Sequence, residues 1–385
     1  SEGDWVIARE GRSTLIGVGR VAGDYEYAPD ADALYPHRRK VNWLWVGRHR
    51  VEAENSLPVS TLVDASGRGD LRDAAGALAR GAAPGAPDVR TEDDAALPYT
   101  MKDALADLFM DQSEVERLLR LIRRKKNLVL QGPPGVGKTF FARRLAYLIM
   151  GESASTRVSL VQFHQAYTYE HLIAGFTPDG RGSFALKYGP LFLLAAAAQG
   201  DPDNDYVLLV DEINRGNLSK ILGEAMMLLE SDKRDPSWGL RLSYGSDQTF
   251  YLPKNLYVIG TMNTADRSLA MVDYALRRRF AFATLEPGLE HERFAAHLSE
   301  LPPSLLTDLR RRVAAVNKLI LDDPMLGRGF LLGHSPFCGG PPAGEEPERW
   351  LRDVCEYELL PLLEEYWFDA PERLNTARRA LLGEP

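Results

Sequence analysis

The chain has 385 residues, 45% of them hydrophobic and 26% charged, with a net charge of −8. At roughly 150 residues per domain this length suggests two or three domains, and the hydrophobic share is enough to bury their cores, which excludes a disordered chain. The acidic balance excludes bulk electrostatic attraction to nucleic acid, so any such contact needs a local basic patch. Two cysteines, Cys338 and Cys355, exclude a disulfide framework and a four-cysteine zinc site and fit a reducing, cytoplasmic setting. No apolar run reaches the roughly 20 residues that span a membrane. The opening Ser1-Glu-Gly-Asp-Trp5 has no signal-peptide pattern and no initiator Met, which fits a chain whose N-terminal part is missing.

Residues 1–63 read as short strands at 5–9, 15–20 and 41–46, rich in aromatics (Tyr25, Tyr27, Tyr35, Trp43, Trp45) and carrying the basic run His37-Arg38-Arg39-Lys40. Residues 64–97 are Ala, Gly, Pro and Asp with almost no large apolar side chain, the composition of a linker. From there to residue 286 helix and strand signals alternate. Apolar residues at helical spacing over 104–124 predict one amphipathic helix. Continuous apolar runs at 127–131, 158–163, 206–210 and 256–260 predict parallel strands covered on both faces. Residues 190–198 predict a buried helix, and Arg241 to Leu252 a β-hairpin turning at Gly245-Ser246-Asp247. Over 287–385 only helical patterns remain, at 290–301, 303–321, 348–368 and 371–382. The fold class that follows is an α/β core, a parallel sheet flanked by helices, with a C-terminal helical subdomain and a small β-rich module in front.

Three motifs in the α/β part carry chemistry. Gly132-Pro133-Pro134-Gly135-Val136-Gly137-Lys138-Thr139, followed by Phe140, fits the phosphate-binding pattern G-x-x-x-x-G-K-[ST] between a predicted strand and a predicted helix. Its glycines let backbone N–H groups turn inward, the helix N-terminus adds its dipole, Lys138 reaches the β- and γ-phosphates, and Thr139 ligates Mg²⁺. The second motif is an apolar strand ending in Asp211 and Glu212, placed to hold the Mg²⁺ shell and to deprotonate the attacking water. The third, Gly260 to Ser268, puts Asn263 at a strand end to orient that water, beside Asp266 and Arg267; Asp266 serves equally well as a helix N-cap. Arg277, Arg278 and Arg279 exceed what a helix C-terminus needs, so at least one is a candidate finger for a neighbouring subunit's nucleotide. His164, His171 and His334 read as isolated packed or surface histidines, and no nuclease signature is visible.

Together these motifs resemble the AAA+ superfamily. The strings QGPPGVGKTF, VQFHQAYTYEHLIAGF, LLVDEINRGNLSKILGEAMMLLE and IGTMNTADRSLAMVDYALRRRF more narrowly resemble the McrB family. The resemblance implies an AAA+ core at 98–286 and a lid at 287–385. It also implies a hexameric GTPase ring that translocates DNA in restriction or phage defence, with a McrC-like partner carrying the nuclease. It assigns roles to Lys138, Thr139, Asp211, Glu212, Asn263, Asp266 and Arg267, with Arg215 and Arg277–Arg279 behind them. No Asn-Lys-x-Asp guanine reader is present, so GTP rests on the resemblance and ATP stays open. The lid offers Gly333-His334-Ser335, with Arg328 upstream, where related ATPases place an arginine. A MoxR-like chaperone acting on proteins is the alternative reading. Residues 1–63 resemble the C-terminal half of an EVE/PUA-type barrel, a module that reads modified bases in DNA. Tyr167, Tyr169, the Arg181–Phe184 turn and the Trp238–Tyr251 segment are candidate pore elements.

Overall fold

The computed structural model describes residues 5–10, 14–27, 37–50, 97–153, 156–178, 183–244, 249–266 and 274–384. The chain divides into two units, residues 1–91 and 92–385. In the first, β1 (Trp5–Glu10), β2 (Thr14–Tyr27) and β3 (His37–Arg50) form an antiparallel sheet in the order β1-β2-β3. The register of β2 against β3 shifts three times between Leu15 and Tyr25, which twists the ribbon locally. The basic run His37–Lys40 opens β3. Tyr35, the linker over 64–96 and the side chains of the candidate stacking aromatics lie outside the described residues.

In the second unit β4 (Leu97–Pro98) leads into α1 (Met101–Asp107) and α2 (Gln112–Lys125). The single helix expected over 104–124 is therefore two helices. Leu108 takes an extended conformation and Asp111 caps α2, and the break turns Phe109 outward onto Phe294 of the helical subdomain. β5 (Asn127–Gly132), α3 (Lys138–Met150), β6 (Glu152–Ser153) and β7 (Val158–Gln162) follow, with β4 and β6 paired. Next come α4 (Tyr169–Leu172), the hairpin β8 (Ala174–Pro178) and β9 (Phe184–Tyr188), and α5 (Pro190–Gly200). β10 (Tyr206–Asp211), α6 (Leu218–Leu222), β11 (Leu256–Asn263), α7 (Tyr274–Arg279) and β12 (Ala281–Thr284) complete the α/β part.

The five parallel strands run in the order β12-β5-β11-β10-β7. β5, β10 and β11 are buried along nearly their whole length because helices cover both faces, which explains their unbroken apolar sequence. On one face Leu128, Leu130 and Ile259 pack with Val115, Leu118 and Ile122 of α2 and Leu145 of α3. On the other, Leu208, Val210 and Val258 pack with Leu191, Leu194 and Ala195 of α5 and with Ile221. The hairpin expected at 241–252 reduces to one antiparallel bridge between Leu240 and Phe250, and its turn at 245–248 lies outside the described residues.

The C-terminal helices α8 (Glu292–His297), α9 (Pro303–Leu321), α10 (Pro347–Asp353), α11 (Leu360–Tyr366) and α12 (Pro371–Leu382) enclose a third core around Phe294, Leu309, Phe337, Leu363 and Trp367. The long helix expected at 348–368 opens into a wide turn over Val354–Leu359 before α11. Pro361 supplies the reason: it has no N–H for the helical ladder, and its ring crowds the carbonyl four residues back.

Candidate functional site

The register brings the motifs together. Gly132, at the end of β5, lies opposite Asn263 at the end of β11, and β10 on the other side of β11 ends in Asp211. Ligands of open α/β sheets bind at this carboxyl edge. Gly132 tolerates no side chain, since a Cβ would stand 2.5 Å from the carbonyl oxygen of Leu285. Gly135 (φ 76°) and Gly137 (φ 68°) take left-handed conformations that curl the loop. Pro133 and Val136 are buried in its base, Pro134 is half-buried, and Thr139 and Phe140 are exposed on the first turn of α3. The Phe140 ring lies under the Arg144 guanidinium, 3.6 Å from it, and Arg144 also pairs with Asp107.

Lys138 is 8% exposed, and its Nζ donates to the carbonyl oxygens of Pro133 (2.8 Å) and Gly132 (3.2 Å). Burial pulls its pKa down to about 8, with Glu212, Asp211 and Asp266 pulling the other way. A buried cation held only by carbonyls, facing three carboxylates, suits an anion arriving at the loop. Thr139 Oγ1 donates to Asp211 Oδ1 at 2.8 Å, and Thr261 Oγ1 donates to the same oxygen. Thr261 also accepts from the Glu212 N–H at 3.3 Å. In the sequence Thr261 carries only a faint signal, a hydroxyl within an otherwise apolar strand.

Glu212 is a non-glycine residue at φ 52° and ψ 48°, a conformation that the surroundings must enforce. The turn aims its side chain at β11, where Asn263 Nδ2 donates to Oε1 at 2.5 Å. Arg215 Nε stands 3.3 Å from Glu212 Oε2, and Arg215 Nη2 donates to Asp266 Oδ2 at 3.1 Å. Burial raises the Glu212 pKa, and the Arg215 charge opposes it. Lys138, Thr139, Asp211, Glu212, Asn263, Asp266 and Arg215 thus form one connected constellation. Arg267 lies outside the described residues.

The arginine cluster separates. Arg277 and Arg278 are exposed at the end of α7. The Arg279 guanidinium pairs with Glu230 of the same chain at 2.9 Å, and its side chain is 16% exposed. Tyr169, expected as a pore residue, is buried and donates to Glu224 at 2.8 Å, while Tyr167 leans on Phe163. His334, read as isolated, lies against the P-loop. Its Nδ1 accepts from the Gly288 N–H at 2.9 Å, and the neighbouring Ser335 N–H donates to the Gly135 carbonyl at 2.8 Å. Arg328, the lid arginine nearest in sequence, points to solvent, 81% exposed and 3.7 Å from Glu286. Among the described residues no cluster of three His, Cys, Asp or Glu side chains forms a metal cage, and no helix is long and apolar enough to cross a membrane.

Residues 127–280 match the model of the AAA domain of the dynein-related subfamily, and residues 308–375 match the McrB alpha-helical lid domain. The "Type IV methyl-directed restriction enzyme EcoKMcrB subunit" of Escherichia coli strain K12 is 47% identical over 292 residues, 74% of this chain and 63% of that one. The α/β part and the lid of this chain are of the McrB type. The chain spans less than two thirds of that McrB relative's length. The "Type II restriction enzyme BsuMI component YdiS" of Bacillus subtilis strain 168 is 26% identical over 290 residues, 62% of this chain and 78% of that protein. Residues 1–63 match a domain of unknown function. The McrB-type AAA core and helical lid are thus the α/β and C-terminal parts described above.

Proposed function

We propose that this chain is the nucleotide-hydrolysing motor subunit of a McrBC-type restriction system, with GTP preferred to ATP. The observation that carries the reading is the convergence of Lys138, Asp211, Glu212 and Asn263 from three neighbouring strand ends. Lys138 leaves its carbonyl partners to meet the β- and γ-phosphates, while N–H groups of the curled loop and of the α3 N-terminus bind their oxygens. Thr139 and Asp211, whose oxygens already meet, fit a Mg²⁺ ion, which takes one or two protein oxygens and completes its shell with water and phosphate. When bound, that ion neutralises charge on the β- and γ-phosphates. Glu212 accepts the proton of the attacking water, and Asn263, bonded to it, fixes the direction of that water. Arg215 and Asp266 hold Glu212 in place. The exposed Arg278 reaches a neighbouring subunit's triphosphate in a ring, which we take as a hexamer.

We further propose that the ring drives DNA translocation and activates a separate McrC-like nuclease, and that residues 1–63 contact DNA carrying modified bases through the segment that opens with His37–Lys40. The names of the two relatives, both components of restriction enzymes, support the system, and the lack of a nuclease motif in this chain supports the division of labour. The test is phosphate release from GTP and ATP, with and without the cognate nuclease subunit and methylated DNA. Turnover of GTP above ATP, stimulated by the nuclease and lost in Lys138→Ala, is expected. Undiminished turnover in Lys138→Ala overturns the mechanism. Stimulation by a protein substrate in place of DNA and nuclease favours the chaperone reading.

A further inference from the structure

The lid touches the P-loop through backbone rather than through a basic side chain. A Cβ on Gly333 would stand 2.1 Å from the Gly135 carbonyl oxygen, and the Ser335 N–H bonds that same oxygen at 2.8 Å. Between these two contacts His334 enters a shallow cavity that it shares with Val136, Gly137, Phe140 and Glu286. The cavity lies on the β12 side of the loop, since Leu285 and Glu286 continue from β12, whereas Glu212 and Asn263 lie on the β11–β10 side. A triphosphate with its γ end toward Glu212 therefore runs its α end toward this cavity.

The imidazole is fixed there. The Gly288 N–H donates to Nδ1 at 2.9 Å, so a neutral ring carries its proton on Nε2. The edge of Phe109 and the ring of Phe294 pack around it, with centroids 5.0 and 6.4 Å away. Burial keeps the ring neutral at physiological pH. Nε2 stands 3.7 Å from the point where a Cβ on Gly137 would lie, and among the described residues it has no hydrogen-bond partner.

We propose that His334 is the lid's nucleotide-binding residue, its Nε2–H donating to a phosphate oxygen at the sugar-proximal end of the chain bound by the P-loop. This rests on the nucleotide reading of that loop. The lid then closes on a bound nucleotide with an oriented neutral donor, and loop and lid positions are linked through Gly135.

Two variants separate the roles of the two ring nitrogens. His334→Asn keeps an oxygen where Nδ1 accepts from Gly288 and removes the Nε2 donor. His334→Gln restores a donor at the Nε2 position and gives up the Gly288 bond. Titration of a fluorescent methylanthraniloyl-GDP with Mg²⁺ into the full chain gives the affinities, and thermal unfolding reports the fold. The expected result is about tenfold weaker binding in His334→Asn with wild-type melting, and binding within about threefold of wild type in His334→Gln. Wild-type affinity in His334→Asn overturns the assignment, as does a loss confined to His334→Gln. If wild type binds and Lys138→Ala does not, such a failure belongs to His334 alone; no binding by wild type overturns the nucleotide reading together with it.

Discussion

The hydroxyl of Thr261 binds Asp211 and its oxygen receives the Glu212 N–H, so one β11 side chain fixes both carboxylate residues at the end of β10. Glu212 pays for its left-handed backbone through this network, with Asn263 on one carboxylate oxygen and Arg215 on the other. Thr261→Val, equal in shape but without the hydroxyl, removes an interaction worth about 1.5–3 kcal/mol to a charged partner. Nucleotide turnover is expected to fall about tenfold or more with binding largely retained; steady-state kinetics set beside equilibrium binding check this. His334 gives an acid dependence. Burial holds its folded pKa at about 4 against 6.5 for the free side chain. Between those values the unfolded chain takes up a proton that the folded chain does not, so stability falls as pH drops through that window and is unaffected above it. Melting temperatures from pH 7 to pH 4 are expected to fall less steeply in His334→Asn than in wild type; parallel curves count against the burial argument. Lys138, Asp211 and Glu212 were legible in sequence because their motifs are local. Thr261 was not, because it acts across a contact distant in sequence; the lid string Gly333-His334-Ser335 was visible, but not what His334 touches, for the same reason.

Asn127 opens β5 and ties three elements. Its Nδ2 donates to the carbonyls of Leu229 and Arg279, and its Oδ1 accepts from the buried Arg234, which also bonds the Leu256 carbonyl. This knot anchors the C-terminus of α7, and with it the adjacent Arg278, to the sheet. Asn127→Ala leaves those carbonyls and a buried cation short of partners, at a cost of about 1–3 kcal/mol for each buried group. A drop of several degrees in melting temperature is expected; an unchanged melt shows that water or rearrangement replaces the knot. Strands β5, β7, β10 and β11 and the helices Pro190–Gly200, Pro303–Leu321 and Pro371–Leu382 follow from apolar period and Pro punctuation, which are local signals, whereas the four-residue edge strand β12 carries no such signal. The break between α1 and α2 does not, because it is set by the packing of Phe109 onto the lid. The hairpin of β8 and β9 gives little sequence signal because its strands are short and pair with each other outside the main sheet. Tyr169 read as a pore residue because aromatic identity says nothing of burial, and Glu224 lies 55 residues away.

At the scale of the molecule, the lid and the α/β part meet at Gly333 and Gly135, where only glycine fits. Gly333→Ala is expected to hold the lid off the loop and weaken nucleotide binding while each hydrophobic core stays intact. Assembly adds a second dependence. In the proposed ring, Arg278→Ala is expected to remove a cation supplied to the neighbouring site, a contribution of about 10³-fold or more in comparable nucleotidases. Mixing Arg278→Ala subunits with Lys138→Ala subunits is expected to restore turnover that neither has alone, since each supplies what the other lacks. No recovery, with rings present by sedimentation, places the finger elsewhere. Everything at this scale depends on Glu212 acting on water at a filled P-loop. Single-turnover hydrolysis of Mg²⁺–GTP by Glu212→Gln, with bound nucleotide measured in the same sample, tests that most directly. The expected result is full occupancy with hydrolysis slowed about 100-fold or more; occupancy with wild-type hydrolysis contradicts it.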